Sequence, residues 1–340
     1  MFSFRCGNRL VDIHFKIFHS FHILSIVGPK QRLFTGIVIE YFFAGGELIL
    51  LGFAYILRTW RVLNIALAVL SIPFLFFYLI LPESPRWLLS KGHYAHAERI
   101  LRRIASENKK PFDADQYERL RKLSCPHVAH GLWSLLRSKV MIIIGINMSF
   151  QWFVQNLVFY GVSQNTGAWL SNPYVAFAAS ALVEIVAYCV VHLVLDRWGR
   201  KLPFCAFVFL FGIVAYLVVP IQTMMVTNTQ ITLMFIVNVV LKFLASGSYA
   251  IIYIYANELF PTQGRNTCMG ICSMVARFGA IIGTLSNDLL ARVWVHFPIV
   301  FFGTTSLLAV VFATICPETS NRPLPQTSED VERIGLTWYD

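Results

Sequence analysis

Eight stretches of this chain stay apolar for about twenty residues each, and short clusters of charged and turn-forming residues separate them. At about 1.5 Å of rise per residue, a helix of that length crosses a hydrocarbon layer of about 30 Å. The runs cover 35–57, 63–81, 140–160, 174–195, 204–224, 231–255, 269–289 and 297–315. They are continuous rather than alternating, so they predict lipid-embedded helices and argue against a membrane barrel. The fold class that follows is an all-α integral membrane bundle of about eight transmembrane helices.

The connections carry the charge. Alternate loops on one side hold 20 of the 28 Lys and Arg, whereas the other side holds only Arg58, Arg61 and Arg292. The positive-inside rule makes the basic side cytoplasmic. Its longest connection, 83–139, has a Pro-anchored start, Leu and Ile at helical spacing and many charges, which predicts short amphipathic helices at the membrane surface. Two roles fit that stretch: a solvated linker between two bundles, or a lipid-binding or phosphorylated surface.

Composition agrees with the pattern. The chain is 56% hydrophobic and 14% charged, against about 25% charged in an average soluble domain. The net charge of +10 does not indicate nucleic acid, since no basic stripe carries interleaved aromatics or a helix-turn-helix, finger or RNA-binding signature. Seven scattered cysteines without a CxxC pair give neither a metal site nor a disulfide framework. No Walker A loop, hydrolase elbow or metal dyad is present, so the sequence predicts no enzyme and no cofactor. Residues 1–26 are interrupted by Arg5, Arg9, Asp12 and Lys16, which makes a poor signal peptide.

One internal echo divides the chain. LPESPRWLL follows the second run and CPETSNRPLP follows the eighth. If each closes a repeat, the second repeat holds six helices and the first only two. The predicted organisation is therefore an unmatched segment 1–26, two helices in 27–82, a linker in 83–139, a six-helix bundle in 140–316 and a tail in 317–340.

With VGPKQR, PESPRWLLSKG, LDRWGRK, NELFPTQGRNTCMGICSMVARFG and PETSNRPLPQTSEDVE in this order, the chain resembles solute carrier family 22 of the major facilitator superfamily, the organic cation, carnitine and organic anion transporters. The resemblance implies helices five to twelve of a twelve-helix fold, a central site near the bilayer midplane, and alternating access between two bundles. It implies transport of a small organic cation or zwitterion, of carnitine or betaine type, in a lipid bilayer, with the plasma membrane as its place. It leaves two alternatives beside a working carrier: a truncated or spliced form that moves no solute, or a regulatory partner of an intact relative. Oligomeric state stays open.

The family's turn motif falls on Asp196, Arg197, Gly199, Arg200 and Lys201, where the resemblance implies a conformational latch and the residues alone permit a simple basic anchor. Its other motifs on the basic side fall on Pro82, Glu83, Ser84, Pro85, Arg86, Glu258, Arg265, Pro317, Glu318 and Thr319.

Ionisable residues inside a membrane helix cost at least ~2.5 kcal/mol and are normally paired or face a cavity. Glu40, Glu47, Glu184, Lys242 and Arg277 qualify. By the resemblance, Glu184 stands beside the substrate cavity, where the organic anion branch often has a Lys four residues on and this chain has Tyr188. Arg277 stands where the anion and carnitine branches carry Arg. Glu184 and Arg277 fit either the two ends of a zwitterion or a salt bridge closing an empty cavity. Lys242 is expected to partner Glu40 or Glu47. Trp152, Phe153, Gln155, Asn156, Tyr160, Tyr253 and Tyr255 are expected to line the cavity, where aromatic faces attract an ammonium, or to serve as packing and interhelical contacts.

Overall fold

Lipid offers no partner to a backbone N–H or C=O, so an apolar stretch long enough to cross it closes its hydrogen bonds within itself as a helix. A computed structural model of the chain describes residues 32–72, 83, 85–90, 92–123, 138–166, 172–224, 227–261, 264–320, 325 and 329–331. Along them run α1 (Arg32–Ile56), α2 (Trp60–Ser71), α3 (Pro85–Ser90), α4 (Tyr94–Glu107), α5 (Ala114–Leu123), α6 (Lys139–Gln164), α7 (Pro173–Trp198), α8 (Lys201–Met224), α9 (Thr227–Leu259), α10 (Arg265–Leu289) and α11 (Phe297–Ala313), with a 3-10 turn at Leu290–Arg292. Among the described residues, six helices are long and apolar enough to cross a membrane, and α2 and α11 are shorter apolar helices. The second half of the expected 63–81 helix, segment 1–26, Pro82 and Ser84 lie outside the described residues, as does the side chain of Arg86.

Several helices outrun their apolar cores. Lys139 opens α6, Asp196 lies in the last turn of α7, and Glu258 ends α9 beside Leu259. Polar ends continue a helix readily once its interior is paid for by lipid. Caps set the starts: Met141 N–H donates to the Ser138 hydroxyl, and Tyr174 N–H donates to the Asn172 side chain just ahead of Pro173 at the first helical position.

The chain forms two compact units, residues 1–39 with 56–130, and residues 40–55 with 131–340. In the first unit, α3, α4 and α5 enclose Leu88, Leu89, Ala97, Ile100 and Tyr117. The Tyr117 hydroxyl donates to the Tyr94 carbonyl over 2.7 Å, and burial pushes this phenol above its ordinary pKa. Arg102 and Arg121 lay their guanidinium groups over Phe112 and Tyr94, so the charged surface also covers the edge of this small core.

The second unit is built around α6, which packs against α9, α10 and α11. Two glycines let α10 approach it. Gly279 faces the Phe153 carbonyl and Gly283 the Leu157 carbonyl, so backbone meets backbone at two points one turn apart. This is the small-residue contact that drives membrane helices together when no hydrophobic effect can. On another face α6 donates to α11: Asn147 Nδ2 to the Phe312 carbonyl and Gln151 Nε2 to the Ala309 carbonyl, both at 2.7 Å. Helix α8 lies against α9 and α11, and α7 against α9.

The glycine contact yields a test. Gly279→Leu forces side-chain atoms into the Phe153 backbone, and overpacking of this kind costs about 1–3 kcal/mol. Gly270→Leu on the same helix meets open space within 4 Å. Purified in detergent, the first variant is expected to lose several degrees of melting temperature and the second almost none.

Candidate functional site

Because α7 and α9 pack directly together, Glu184 of α7 and Lys242 of α9 meet in the interior. Lys242 Nζ stands 2.5 Å from Glu184 Oε1, with the two side chains 2% and 0% exposed. The contact has the distance of an ion pair without the alignment of a hydrogen bond. Around it, Lys242 Nζ donates to the Ser163 hydroxyl at 2.6 Å and lies 4.0 Å from the centre of the Phe159 ring. Tyr188 donates its hydroxyl to Glu184 Oε2 at 3.1 Å. Carboxylate, ammonium, hydroxyl, phenol and aromatic face thus form one charge-balanced cluster. Its attraction is strong in a low dielectric and its desolvation cost is equally large, so loss of either partner leaves a buried lone charge.

Aromatic rings extend the cluster along α6 and α9. Phe159 stacks on Tyr249 at 4.6 Å, Tyr249 touches Tyr253 at 5.1 Å, and Tyr253 meets Trp152 at 4.5 Å. Residues 152 and 159 lie two turns apart on α6, and 249 and 253 one turn apart on α9, so the two helices face each other with matched rings. Trp152 Nε1 is buried without an acceptor among the described residues. Gln155 accepts from the Ser248 hydroxyl at 2.7 Å, and Asn156 donates to the Trp152 carbonyl within its own helix. Tyr160 sits edge-on to Phe159 and is half-buried. Glu40 of α1, 3% exposed, is within electrostatic reach of Tyr188, Tyr249 and Tyr253.

Three sequence expectations change here. The ion pair of Lys242 is with Glu184 rather than with Glu40 or Glu47, since direct packing of α7 on α9 aligns residues 184 and 242, a register that no spacing within either helix reveals. The same pairing answers Glu184 without Arg277. Arg277 is half-buried on α10, with a long 3.5 Å contact to Ser273 Oγ, and lies near enough to Tyr253 for a charge interaction. Tyr255 also departs from the cavity-lining expectation, because its hydroxyl donates to the Pro317 carbonyl at 2.5 Å, outside the ring cluster.

That bond belongs to a second constellation, where the turn motif meets the chain beyond α11. Arg200 grips Glu258 with two hydrogen bonds, Nε to Oε2 at 3.0 Å and Nη2 to Oε1 at 3.1 Å, and its Nη1 donates to the Leu195 carbonyl and the Ser320 hydroxyl. A planar guanidinium suits this bidentate grip. The Glu318 carboxylate accepts the backbone N–H groups of Arg200, Lys201, Thr319 and Ser320, each at 2.9 Å. It therefore caps α8, whose first amides lack partners inside the helix and carry the positive end of its dipole. Gly199 has φ of 80°, and a Cβ there would lie 2.8 Å from Glu318 Oε2, so both conformation and space call for glycine.

Thr319 donates to Glu258, Lys201 Nζ to the Thr314 carbonyl, and Arg265 Nε to the Phe260 carbonyl, whereas Asp196 and Arg197 are exposed. Sequence reasoning named most of these residues from motif resemblance but did not see the capping role of Glu318 or the contact of Ser320. It also missed Phe159, Ser163 and Tyr249 as neighbours of the ion pair. The four-residue spacing of Phe159 with Ser163, and of Tyr249 with Tyr253, was the available signal.

Comparison with known proteins places this architecture. The chain is 35% identical over 322 residues to an organic cation transporter protein of Drosophila melanogaster, covering 92% of this chain and 58% of the relative. It is 32% identical to solute carrier family 22 member 3 of Mus musculus, covering 92% and 56%. The chain thus spans somewhat more than half the length of these curated relatives. Among solved structures, the proton:xylose symporter XylE, a major facilitator superfamily protein, superposes with a TM-score of 0.73 at 20% identity, over 94% of this chain and 70% of that one. This likeness shows the fold, a major facilitator helical bundle. The sequence model described as "Sugar (and other) transporter" matches residues 32–331, which with the membrane-length helices makes the chain an integral multi-pass membrane protein of a transporter family rather than of an enzyme family. The chain belongs to the sugar (and other) transporter family.

Proposed function

We propose that the chain carries small organic cations, including zwitterions of the carnitine and betaine type, across the plasma membrane by alternating access. The observation that supports this most is the buried Glu184 carboxylate beside the ring series Phe159, Tyr249, Tyr253 and Trp152. A fixed negative charge next to stacked aromatic faces is the chemistry that recognises an alkylammonium. The Drosophila melanogaster relative named as an organic cation transporter favours the same substrate class.

A zwitterion needs a second charge, and Arg277 offers it. Its side chain is half-buried on α10, and its described hydrogen bond is a long one to Ser273. A guanidinium there can take a substrate carboxylate in bidentate fashion.

The Arg200, Glu258 and Glu318 constellation serves as the latch. It ties the start of α8, the end of α9 and the segment after α11 together through charge-assisted bonds, so a bundle that rocks during access must keep or break them as a group.

Three outcomes are expected in cells or proteoliposomes given labelled tetraethylammonium, carnitine and betaine. The chain accumulates at least one of them, and Glu184→Gln lowers the specificity constant by about 30-fold or more, the size of losing one buried charge partner. Failure of all three to accumulate sinks the transport reading. Arg277→Ala is expected to remove carnitine and betaine uptake while sparing tetraethylammonium; equal loss of all three excludes the zwitterion role. Glu258→Gln is expected to slow maximal uptake about tenfold, the kinetic equivalent of one charge-assisted hydrogen bond, with little change in half-saturation.

A further inference from the structure

We propose that Lys242 is a tethered occupant of the ammonium site, which a substrate cation must displace from Glu184 and Phe159 and which returns when that cation leaves. The inference rests on the reading of Glu184 as the substrate carboxylate. It goes further, because it assigns to the buried lysine a competitive role rather than a structural one.

The environment of the Lys242 ammonium is itself a description of how an ammonium ligand is held. One carboxylate oxygen lies at 2.5 Å, one hydroxyl at 2.6 Å, and one aromatic face at 4.0 Å. The ring series continues beyond this seat through Tyr249 and Tyr253 to Trp152, whose indole N–H is buried with no acceptor among the described residues. A ligand larger than a lysine head group thus meets further aromatic surface along that series, with the Trp152 donor at its far end.

Space makes the two occupants exclusive at Glu184. The carboxylate oxygen and the Phe159 face that hold the Lys242 ammonium have room for one head group, so a substrate cation that takes them has to displace Lys242. The side chain is suited to leaving. Lysine presents a single point charge on a flexible four-carbon stem, whereas an arginine in this position would lock a carboxylate with a planar fork. The contact with Glu184 lacks hydrogen-bond alignment, so the directional bond given up on leaving is the one to the Ser163 hydroxyl. When the substrate departs, the returning ammonium neutralises Glu184 again.

A tethered competitor weakens the apparent affinity for the free cation by the fraction of time it fills the site. Its removal therefore raises affinity, and a purely structural salt bridge predicts the opposite. All the groups involved lie on α6, α7 and α9 within one unit, so binding can be measured apart from transport.

The experiment uses the full chain purified in lipid nanodiscs, with tetraethylammonium as probe and Trp fluorescence and melting temperature as readouts. Lys242→Ala and the better space-filling Lys242→Met are expected to bind tetraethylammonium at least about tenfold more tightly than the parent chain. Lys242→Met combined with Glu184→Gln is expected to lose that gain. Unchanged or weaker binding in both single variants overturns the proposal, as does a gain that survives Glu184→Gln. If both single variants fail to fold, and purification in tetraethylammonium does not restore them, Lys242 is structural and the proposal is likewise overturned. Failure of uptake by the parent chain alongside a Glu184-dependent gain would remove the transport reading and leave the displaced-lysine site standing; uptake without the gain would do the reverse.

Discussion

Every polar group that this chain carries into hydrocarbon has to find its partner inside the protein, and that constraint organises the second unit. Backbone groups meet it by forming helices. Side chains meet it by reaching between them, as Asn147 and Gln151 do from α6 to carbonyls of α11, and as Ser248 does from α9 to Gln155. Charges meet it at the highest cost, in the Glu184 and Lys242 pair. Helix α6, which buries Asn147, Gln151, Gln155 and Asn156, packs against α9, α10 and α11.

The two functional constellations use the same rule for different ends. In the interior, neutralisation is achieved by two opposite charges, Glu184 and Lys242, in contact on neighbouring helices. Where α8 begins, the charges are anchored by geometry: Glu318 holds four backbone amides, and Arg200 holds Glu258 through two parallel bonds while also bonding Leu195 and Ser320. A planar guanidinium fixes its carboxylate in direction as well as distance, whereas a lysine holds its partner as a point charge on a flexible stem.

Close packing links these regions. Gly279 and Gly283 bring α10 onto the backbone of α6 at Phe153 and Leu157, the segment that also carries Trp152, Gln155 and Phe159. The ring series therefore rests on one of the tightest helix contacts among the described residues. Arg277 lies two residues before Gly279 on α10, next to this contact in the chain.

Much of this was legible in the chain itself. Long apolar runs determine helices because lipid leaves the backbone no other partner, and the ordered motifs from PESPRW to PETSNR identify the family because each falls at a helix boundary. Glu184 and Lys242 stood out because a charge inside an apolar run is costly, and Arg200 and Glu258 because they fall in the family's motifs. Partners were not legible. That Lys242 answers Glu184, that Tyr255 turns to Pro317, and that Glu318 caps α8 depend on which helices pack together and in what register. Periodicity within one helix sets the face a residue occupies, but the distance between faces of different helices is decided by interhelical contacts such as Gly279 on Phe153, and only the tertiary structure contains those.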